Sequence, residues 1–227
     1  MLVKLNLENL NSCVTPVEPN ITLSSIDCLI ETSSDADKEI MRGVDYRQAV
    51  GCLQWIANGT RPDISFAVSQ VSRFLEHPGP KHWQAVKRIV RYLVGSMELK
   101  IRYSQTASGP CVFQGYFSGK LPTSTNAAYV DADFASCKET RRSGTGYVFM
   151  LAGGPVSWNS RKQSSVALST TEAEYMAAAA AAQELVWLKR LQVKLGLPVP
   201  ETLTLFEDNK RAIYLSEGGV SISDLSM

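Results

Sequence analysis

Two acidic residues interrupt a strand-like run in the segment YVDADFAS, residues 129–136. Its tyrosine, valine and phenylalanine favour a buried sheet, whereas Asp131 and Asp133 favour water. A strand edge or a turn would explain the two acids, and so would a metal site. The triplet D-A-D does not decide between them, because the same triplet at 35–37 has polar neighbours and fits a helix N-terminus.

Further acids fall where ordered structure is expected. Asp208 closes the run TLTLFED, and Glu172 and Glu174 open a long helix-forming segment. If the strand before Asp208 runs parallel to the strand that carries Asp131, the carboxyl ends of both strands share one edge of the sheet. The start of the helix then brings a third acid to that edge.

Three carboxylates in one place would repel one another, and a divalent cation would remove that repulsion. Oxygen ligands without His or Cys suit Mg²⁺ or Mn²⁺ rather than zinc. A carboxylate cluster that holds two such ions about 3.5–4 Å apart is suited to phosphodiester hydrolysis. Taken singly, each acid also fits a helix cap, an edge charge or a turn, so both interpretations stay open here.

The elements that must position these acids are predicted from residue 127 onward. Alternating apolar residues predict strands, and an alanine-rich run that Ser169 or Thr170 would cap predicts a long helix ending at Gly196. The predicted elements are a strand over 127–135, a hairpin over 144–160 turning at Gly153-Gly154, a further strand over 164–170, the helix over 171–196, a strand over 202–209 and a helix over 209–218. This order predicts the α/β (mixed α+β) class, with a mixed sheet and flanking helices.

A second region, residues 41–103, has helical rather than strand-like periodicity. In its segment KHWQAVKRIVRYLVG the apolar residues fall on one side and the basic residues Lys87, Arg88 and Arg91 on the other. That basic side is either a solvated face or a surface for nucleic-acid phosphates. Residues 1–40 are predicted to be a linker or lead-in, and the Ser-, Thr-, Gly- and Pro-rich residues 104–126 a second linker.

The bulk composition limits the classes of protein. The chain has 227 residues, a net charge of +1 and five cysteines. No CxxC spacing, signal peptide or membrane-length apolar run is present, so a disulfide framework, a zinc site and a membrane span are not expected. We expect an intracellular protein, cytoplasmic or nuclear, with reduced thiols.

A series of longer motifs runs in order from Tyr46 to Ile213. They are YRQAVGCLQWIANGTRPDISFAVSQVSRF, HWQAVKRIVRYLVG, YVDADFAS followed by RRSGTGYVF, GGPVSWNSRKQSSVALSTTEAEYMA and LFEDNKRAI. Together they closely resemble the C-terminal part of the polyproteins of Ty1/copia-type retrotransposons. The resemblance implies that residues 41–103 correspond to the thumb or connection tail of a reverse transcriptase, and 127–227 to its ribonuclease H domain.

Such a ribonuclease H domain cleaves the RNA strand of an RNA–DNA hybrid, using Mg²⁺ held by carboxylates on a mixed sheet. The resemblance assigns the first acid to Asp131, which follows two β-formers. It assigns the second to Glu174, because Glu174-Tyr-Met-Ala177 fits the pattern E-x-x-A, and keeps Glu172 as the alternative.

The third acid is assigned to Asp208, followed by Asn209 as in the pattern D-[SN]-x-x-A-I. Glu207 and the pair Lys210-Arg211 depart from the commoner CDNQSAI. The family pattern then continues with a segment containing KHID, a strand and a helix, whereas this chain ends in EGGVSISDLSM. We therefore expect a domain that is incomplete at its C-terminus, and Asp224 is not assigned as a fourth acid.

Two functional hypotheses follow. In the first, the chain is a metal-dependent ribonuclease H whose partners are an RNA–DNA hybrid, gripped by the basic helix, and the remaining reverse transcriptase segments. In the second, it is a non-catalytic transposon remnant that binds nucleic acid or protein. DNA synthesis is not expected, because YVDA has Ala132 where the polymerase signature Y-x-D-D has its last acid.

Overall fold

The structure, a computed structural model, describes residues 10–19, 21–30, 32–103, 127–197 and 205–218. The chain divides into two compact units, residues 1–101 and residues 102–227, which we call the helical unit and the sheet unit. The linker predicted at 104–126 and the C-terminal residues 219–227 lie outside the described residues.

In the described residues of the helical unit, four α-helices pack around one apolar core. They are α1 (Asp35–Met41), α2 (Tyr46–Gly59), α3 (Ser65–Val71) and α4 (Pro80–Gly95), with 3₁₀ turns at Ser25–Asp27, Pro62–Ile64 and Ser72–Phe74. The apolar stripe of α2 is buried, as its helical spacing predicts, and so is most of the apolar side of α4. Asp45 caps α2 by accepting a hydrogen bond from the Gln48 backbone N–H.

Residues 10–30 add to that core, although no periodicity marks them in the sequence. Leu23 is buried, and Leu10, Val17 and Cys28 pack against the same cluster. Gly79 is required where this segment meets α4, since a Cβ there would collide with the backbone of Asp27.

The sheet unit has four described strands in the spatial order β3-β2-β1-β4. The strands are β1 (Ala127–Asp133), β2 (Gly144–Leu151), β3 (Gly154–Lys162) and β4 (Leu205–Phe206). Neighbours pair antiparallel except β1 and β4, which run parallel. The described residues of this unit also form two helices, α5 (Thr170–Lys194) and α6 (Lys210–Gly218). The predicted α/β class, a mixed sheet with flanking helices, is confirmed.

Local signals explain how these elements begin and end. The β2–β3 hairpin turns at Ala152 and Gly153, whose φ angles of 51° and 80° are those of a tight primed turn. Ser169 caps α5 by accepting from the Glu172 N–H, and Gly196 has a φ of 66° just after the helix ends.

The strand predicted over 164–170 is wrong. Residues 164–169 form an irregular connection between β3 and α5, and Thr170 already belongs to the helix. The segment has β-formers, but the Ser169 cap and the following helix compete with them.

The small side chains of α5 allow it to pack closely on the sheet. Ala177 and Ala181 of the helix are buried against Ala128, Val130 and Phe149 of the strands. Ala128 and Val130 are two residues apart, so one face of β1 turns toward the helix. In the described part of the chain, no helix has both the length and the apolarity needed to cross a bilayer.

Candidate metal centre

The parallel pairing of β1 with β4 sets the position of the two aspartates. Tyr129 pairs with Phe206, and their rings stack with centroids 5.3 Å apart. Asp131 and Asp208 each lie two residues beyond this pair, and β4 has ended before Asp208 is reached. The two acids therefore meet at the carboxyl end of the parallel strands, where ligands gather in sheets of this type.

The first turns of α5 bring a glutamate to the same place. Glu174 lies three residues before Ala177 and seven before Ala181, which puts it on the sheet-facing side of the helix. Its side chain is only 7% exposed. Glu172 is exposed, and its Oε2 accepts a hydrogen bond of 2.7 Å from the Leu168 backbone N–H. Glu172 thus caps the helix, and Glu174 faces the aspartates.

The structure brings together the three acids that the sequence singled out. Each of Asp131, Glu174 and Asp208 has a carboxylate oxygen within 4.8 Å of the other two. Both aspartates are exposed, whereas Glu174 is buried. Glu174 Oε2 is enclosed and has no hydrogen-bond partner among the described residues. Because an enclosed and unpaired carboxylate oxygen is costly, this arrangement fits a bound cation.

The raised pKa values of Glu174 and Asp131 in the cluster also fit a bound cation. Burial raises the pKa of Glu174 to about 8, and repulsion from Glu207, Asp131 and Asp208 adds to the shift, while the Ala132 backbone N–H opposes it. The pKa of Asp131 is also raised, first by lost solvation of its carboxylate and then by Asp208. A divalent cation would stabilise the ionised forms of these groups.

Glu207 is a further acid next to this site, outside the group of three, and sequence reasoning noted it only as a departure from the family pattern. Its Oε1 accepts a hydrogen bond of 3.1 Å from the Asn209 backbone N–H. Its Oε2 is enclosed and lacks a described hydrogen-bond partner. Burial raises the pKa of Glu207, with repulsion from Asp208 and Asp131 in the same direction. The sequence signal for Glu207 is its two-residue spacing from the partly buried Leu205, and that spacing does not fix its orientation without the register between β1 and β4.

The basic residues of α4 lie in the helical unit and contact its N-terminal segment. Arg88 donates to the Thr15 carbonyl and hydroxyl, at 3.2 and 3.0 Å, and pairs with Glu18 at 3.5 Å. Arg91 donates to the Asn11 carbonyl at 2.6 Å. Lys87 lines a shallow cavity beside these groups. Contacts of Lys87, Arg88 and Arg91 with nucleic acid stay a prediction.

Comparison with known proteins finds relatives over almost the whole chain. The present chain is 40% identical to the Retrovirus-related Pol polyprotein from transposon TNT 1-94 of Nicotiana tabacum, over 97% of its own length and 15% of that protein. It is 34% identical to the Retrovirus-related Pol polyprotein from transposon RE1 of Arabidopsis thaliana over 95% of this chain and 13% of that protein. The chain thus spans a small part of the length of these curated relatives.

A shorter relative is the Secreted RxLR effector protein 161 of Plasmopara viticola. It is 43% identical over 65% of this chain and 94% of its own length. No protein-family model matches the chain. No solved structure gives a significant match.

Proposed function

Because the chain belongs to the Pol polyproteins of Ty1/copia-type retrotransposons, we propose that its sheet unit is a ribonuclease H. The reaction would be endonucleolytic hydrolysis of the RNA strand of an RNA–DNA hybrid. The observation that carries the proposal is the cluster of Asp131, Glu174 and Asp208, in which the buried Glu174 lacks a described partner for Oε2.

The donor set supports Mg²⁺ or Mn²⁺ as the cofactor. All three residues offer carboxylate oxygens, and neither His nor Cys belongs to the group. When bound, such a cation would supply Lewis-acid stabilisation of the charge that develops on the phosphodiester oxygens.

The chain's own contribution is to hold these oxygens in place before the substrate arrives. Asp131 is fixed by its position in β1, which is paired on both sides nearby. Glu174 is fixed by the packing of α5 on the sheet, since Ala173 and Ala177 on that helix are fully buried. Rigid placement of this kind reduces the reorganisation that a reaction otherwise requires. Asp208 follows a short strand and, like Asp131, is exposed, so the two aspartates are open to substrate while Glu174 is enclosed.

The substrate and its surroundings belong to the same proposal. Lys87, Arg88 and Arg91 would contact the phosphates of the hybrid, and ribose 2′-hydroxyls would distinguish RNA from DNA. The remaining reverse transcriptase segments of the polyprotein would be its partners. We place the activity in the cytoplasm or nucleus, in keeping with the thiols of Cys13, Cys28, Cys52 and Cys137, which are not joined in disulfides in the described part of the chain.

The test is cleavage of a hybrid labelled on its RNA strand, in Mg²⁺ and in Mn²⁺. Asp131→Asn keeps the shape of the side chain and removes its charge, and we expect it to reduce cleavage at least about 100-fold. Asp133→Asn is the matched control, because Asp133 is an exposed acid on the same strand outside the cluster. Cleavage that survives Asp131→Asn unchanged would contradict the proposal.

A second function, a non-catalytic module that binds nucleic acid or protein, is favoured by one observation. The shorter relative shows that a similar segment makes up 94% of a protein named as an effector rather than as a polyprotein. The same assay separates the two functions. A folded chain that binds the hybrid, but does not cleave it in either cation, would support the non-catalytic module.

A further inference from the structure

Glu207 lies between the short strand β4 and the candidate ligand Asp208. Leu205 packs against the cluster that contains Ala177 and Ala181 of α5. Glu207 is two residues further along the chain, just after β4 has ended, and its Oε2 is enclosed by protein. This position explains why Glu207 is the charged group that contributes most to the raised pKa of Glu174.

The two glutamates share a structural problem. Glu174 Oε2 and Glu207 Oε2 are both enclosed, and neither has a hydrogen-bond partner among the described residues. Two enclosed carboxylates that repel each other cost free energy unless one of them holds a proton or a positive charge lies beside them, and a cation would allow both to ionise. The other Glu207 oxygen, by contrast, is held by the Asn209 N–H, which fixes the orientation of the carboxylate.

We propose that Glu207 is a fourth carboxylate of the cation centre, a positioning residue that strengthens cation binding through its charge beside Glu174. The inference rests on the proposed function, because it presupposes the centre formed by Asp131, Glu174 and Asp208. Asp208 would supply a ligand atom, and the neighbouring Glu207 would add negative charge next to it.

The experiment measures Mn²⁺ binding to the full chain without any catalytic readout. Electron paramagnetic resonance counts the free Mn²⁺ ion during a titration, and thermal unfolding in EDTA reports the stability of the cation-free fold. Glu207→Gln keeps the size of the side chain and an oxygen for the Asn209 N–H, but it removes the charge. Glu207→Asp keeps the charge. Glu217→Gln is the matched control, because Glu217 is an exposed glutamate on α6.

Glu207→Gln is expected to weaken Mn²⁺ binding about 10- to 100-fold, the range typical of groups that support metal ligands. Its melting temperature in EDTA should equal or exceed that of the wild type, since a repulsion has been removed. Glu207→Asp should recover most of the affinity, and Glu217→Gln should match the wild type. A purely structural role would instead lower the melting temperature in EDTA and would contradict the inference.

The remaining outcomes separate this inference from the proposed function. If Asp131→Asn loses Mn²⁺ binding while Glu207→Gln stays within about twofold of the wild type, the centre stands and the role of Glu207 is refuted. If the wild-type chain does not bind Mn²⁺ at all, the proposed centre fails and the role of Glu207 fails with it.

Discussion

Arg61 in the helical unit and Glu174 in the sheet unit are both charged side chains enclosed by protein, yet their surroundings differ. Arg61 is 8% exposed and donates to Asp63, to the Ser96 carbonyl and to the Ser96 hydroxyl. Glu174 is 7% exposed, and its Oε2 has no described hydrogen-bond partner. Similar burial therefore accompanies a charge with its partners in one unit and a carboxyl group with one unpaired oxygen in the other.

Other residues of the helical unit follow the pattern of Arg61. His82 is fully buried, and its Nδ1 accepts from the Gly79 N–H while its Nε2 lies 3.2 Å from the Ser24 carbonyl. The Tyr46 hydroxyl donates to the Val71 carbonyl at 2.9 Å. In the described part of this unit, the enclosed side-chain oxygen that lacks a hydrogen-bond partner belongs to Ser65, and its hydroxyl is uncharged.

This comparison distinguishes buried polar groups whose partners lie within the fold from buried polar groups that have an unpaired atom and could bind a ligand. A buried charge with its partners in place stabilises one arrangement of the chain. A buried charge without partners costs free energy, and such a cost persists where a function requires it. On this criterion the sheet unit, rather than the helical unit, is the better candidate for the proposed activity.

The largest expected effect on stability comes from removing Asp63, the partner of the buried Arg61. Asp63→Ala leaves Arg61 buried without its carboxylate and also removes the acceptor of the Tyr92 hydroxyl, which lies 2.8 Å from Asp63 Oδ2. Breaking a buried ion pair from one side costs about 3–5 kcal/mol, and we expect the free energy of unfolding to fall by that amount. Urea unfolding of the chain, followed by circular dichroism, measures the change.

An exposed pair of the same chemistry is the control. Arg42 and Glu39 form an ion pair of 3.0 Å with side chains that are 78% and 66% exposed. Glu39→Ala should lower the free energy of unfolding by no more than about 1 kcal/mol. If Asp63→Ala were as mild as Glu39→Ala, the view of Arg61 as a structural charge would be wrong.

The next effect is a pH dependence of the free energy of unfolding, which arises from the raised pKa of Glu174. The pKa of Glu174 is about 8 in the folded chain against a model-compound value of 4.5. Between these values the folded chain keeps a proton that the unfolded chain has lost, so stability falls as the pH rises. In EDTA we expect the free energy of unfolding to decrease by about 2–4 kcal/mol from pH 5 to pH 8, and to level off above that.

Two comparisons isolate the contribution of Glu174 to that slope. Glu174→Gln removes the titrating group and should flatten most of the decrease, leaving the smaller parts due to the raised pKa values of Asp131 and Glu207. Saturating Mg²⁺ should flatten the wild-type curve as well, since the cation stabilises the ionised cluster. A wild-type curve in EDTA that rises from pH 5 to pH 8 would contradict this assignment.

Much of the fold follows from local patterns in the sequence. Helical periodicity gave α2 and α4 with their buried faces, and the glycine-containing hairpin gave β2 and β3. The strand predicted over 164–170 was wrong because the β-propensity of its residues does not outweigh the helix cap at its end. Residues 10–30 have no period at all, so their packing depends on contacts with distant residues that no local pattern records.

The acids of the candidate centre were predictable because each stands beside a strong element signal. Asp131 and Asp208 follow β-formers, and Glu174 shares a helix face with Ala177. Glu207 was not singled out as a site residue, since its orientation depends on the register between β1 and β4, which is a property of the folded sheet. The same holds for Arg88 and Arg91, whose contacts with residues 11–18 come from tertiary packing.

A smaller effect distinguishes structural from nucleic-acid roles on α4. Arg88→Ala removes hydrogen bonds to Thr15 and an ion pair with Glu18, and we expect a loss of about 1–2 kcal/mol in the free energy of unfolding. Lys87→Ala should change stability by less than about 0.5 kcal/mol. If Lys87 contacts a phosphate, its removal should also lower the salt dependence of hybrid binding by about one unit of slope. An unchanged slope would refute that contact.

The smallest effect concerns the two glutamates at the start of α5, which the sequence left as alternatives. Glu172→Ala removes the acceptor of the Leu168 N–H, and the loss of a cap should cost about 0.5–1 kcal/mol of unfolding free energy. Its Mn²⁺ affinity should stay within about twofold of the wild type, whereas Glu174→Ala should lose binding. The reverse result would exchange their roles. The two glutamates, two residues apart, differ in their surroundings: Glu172 is exposed and bonded to the Leu168 N–H, whereas Glu174 is buried with its Oε2 unpaired among the described residues.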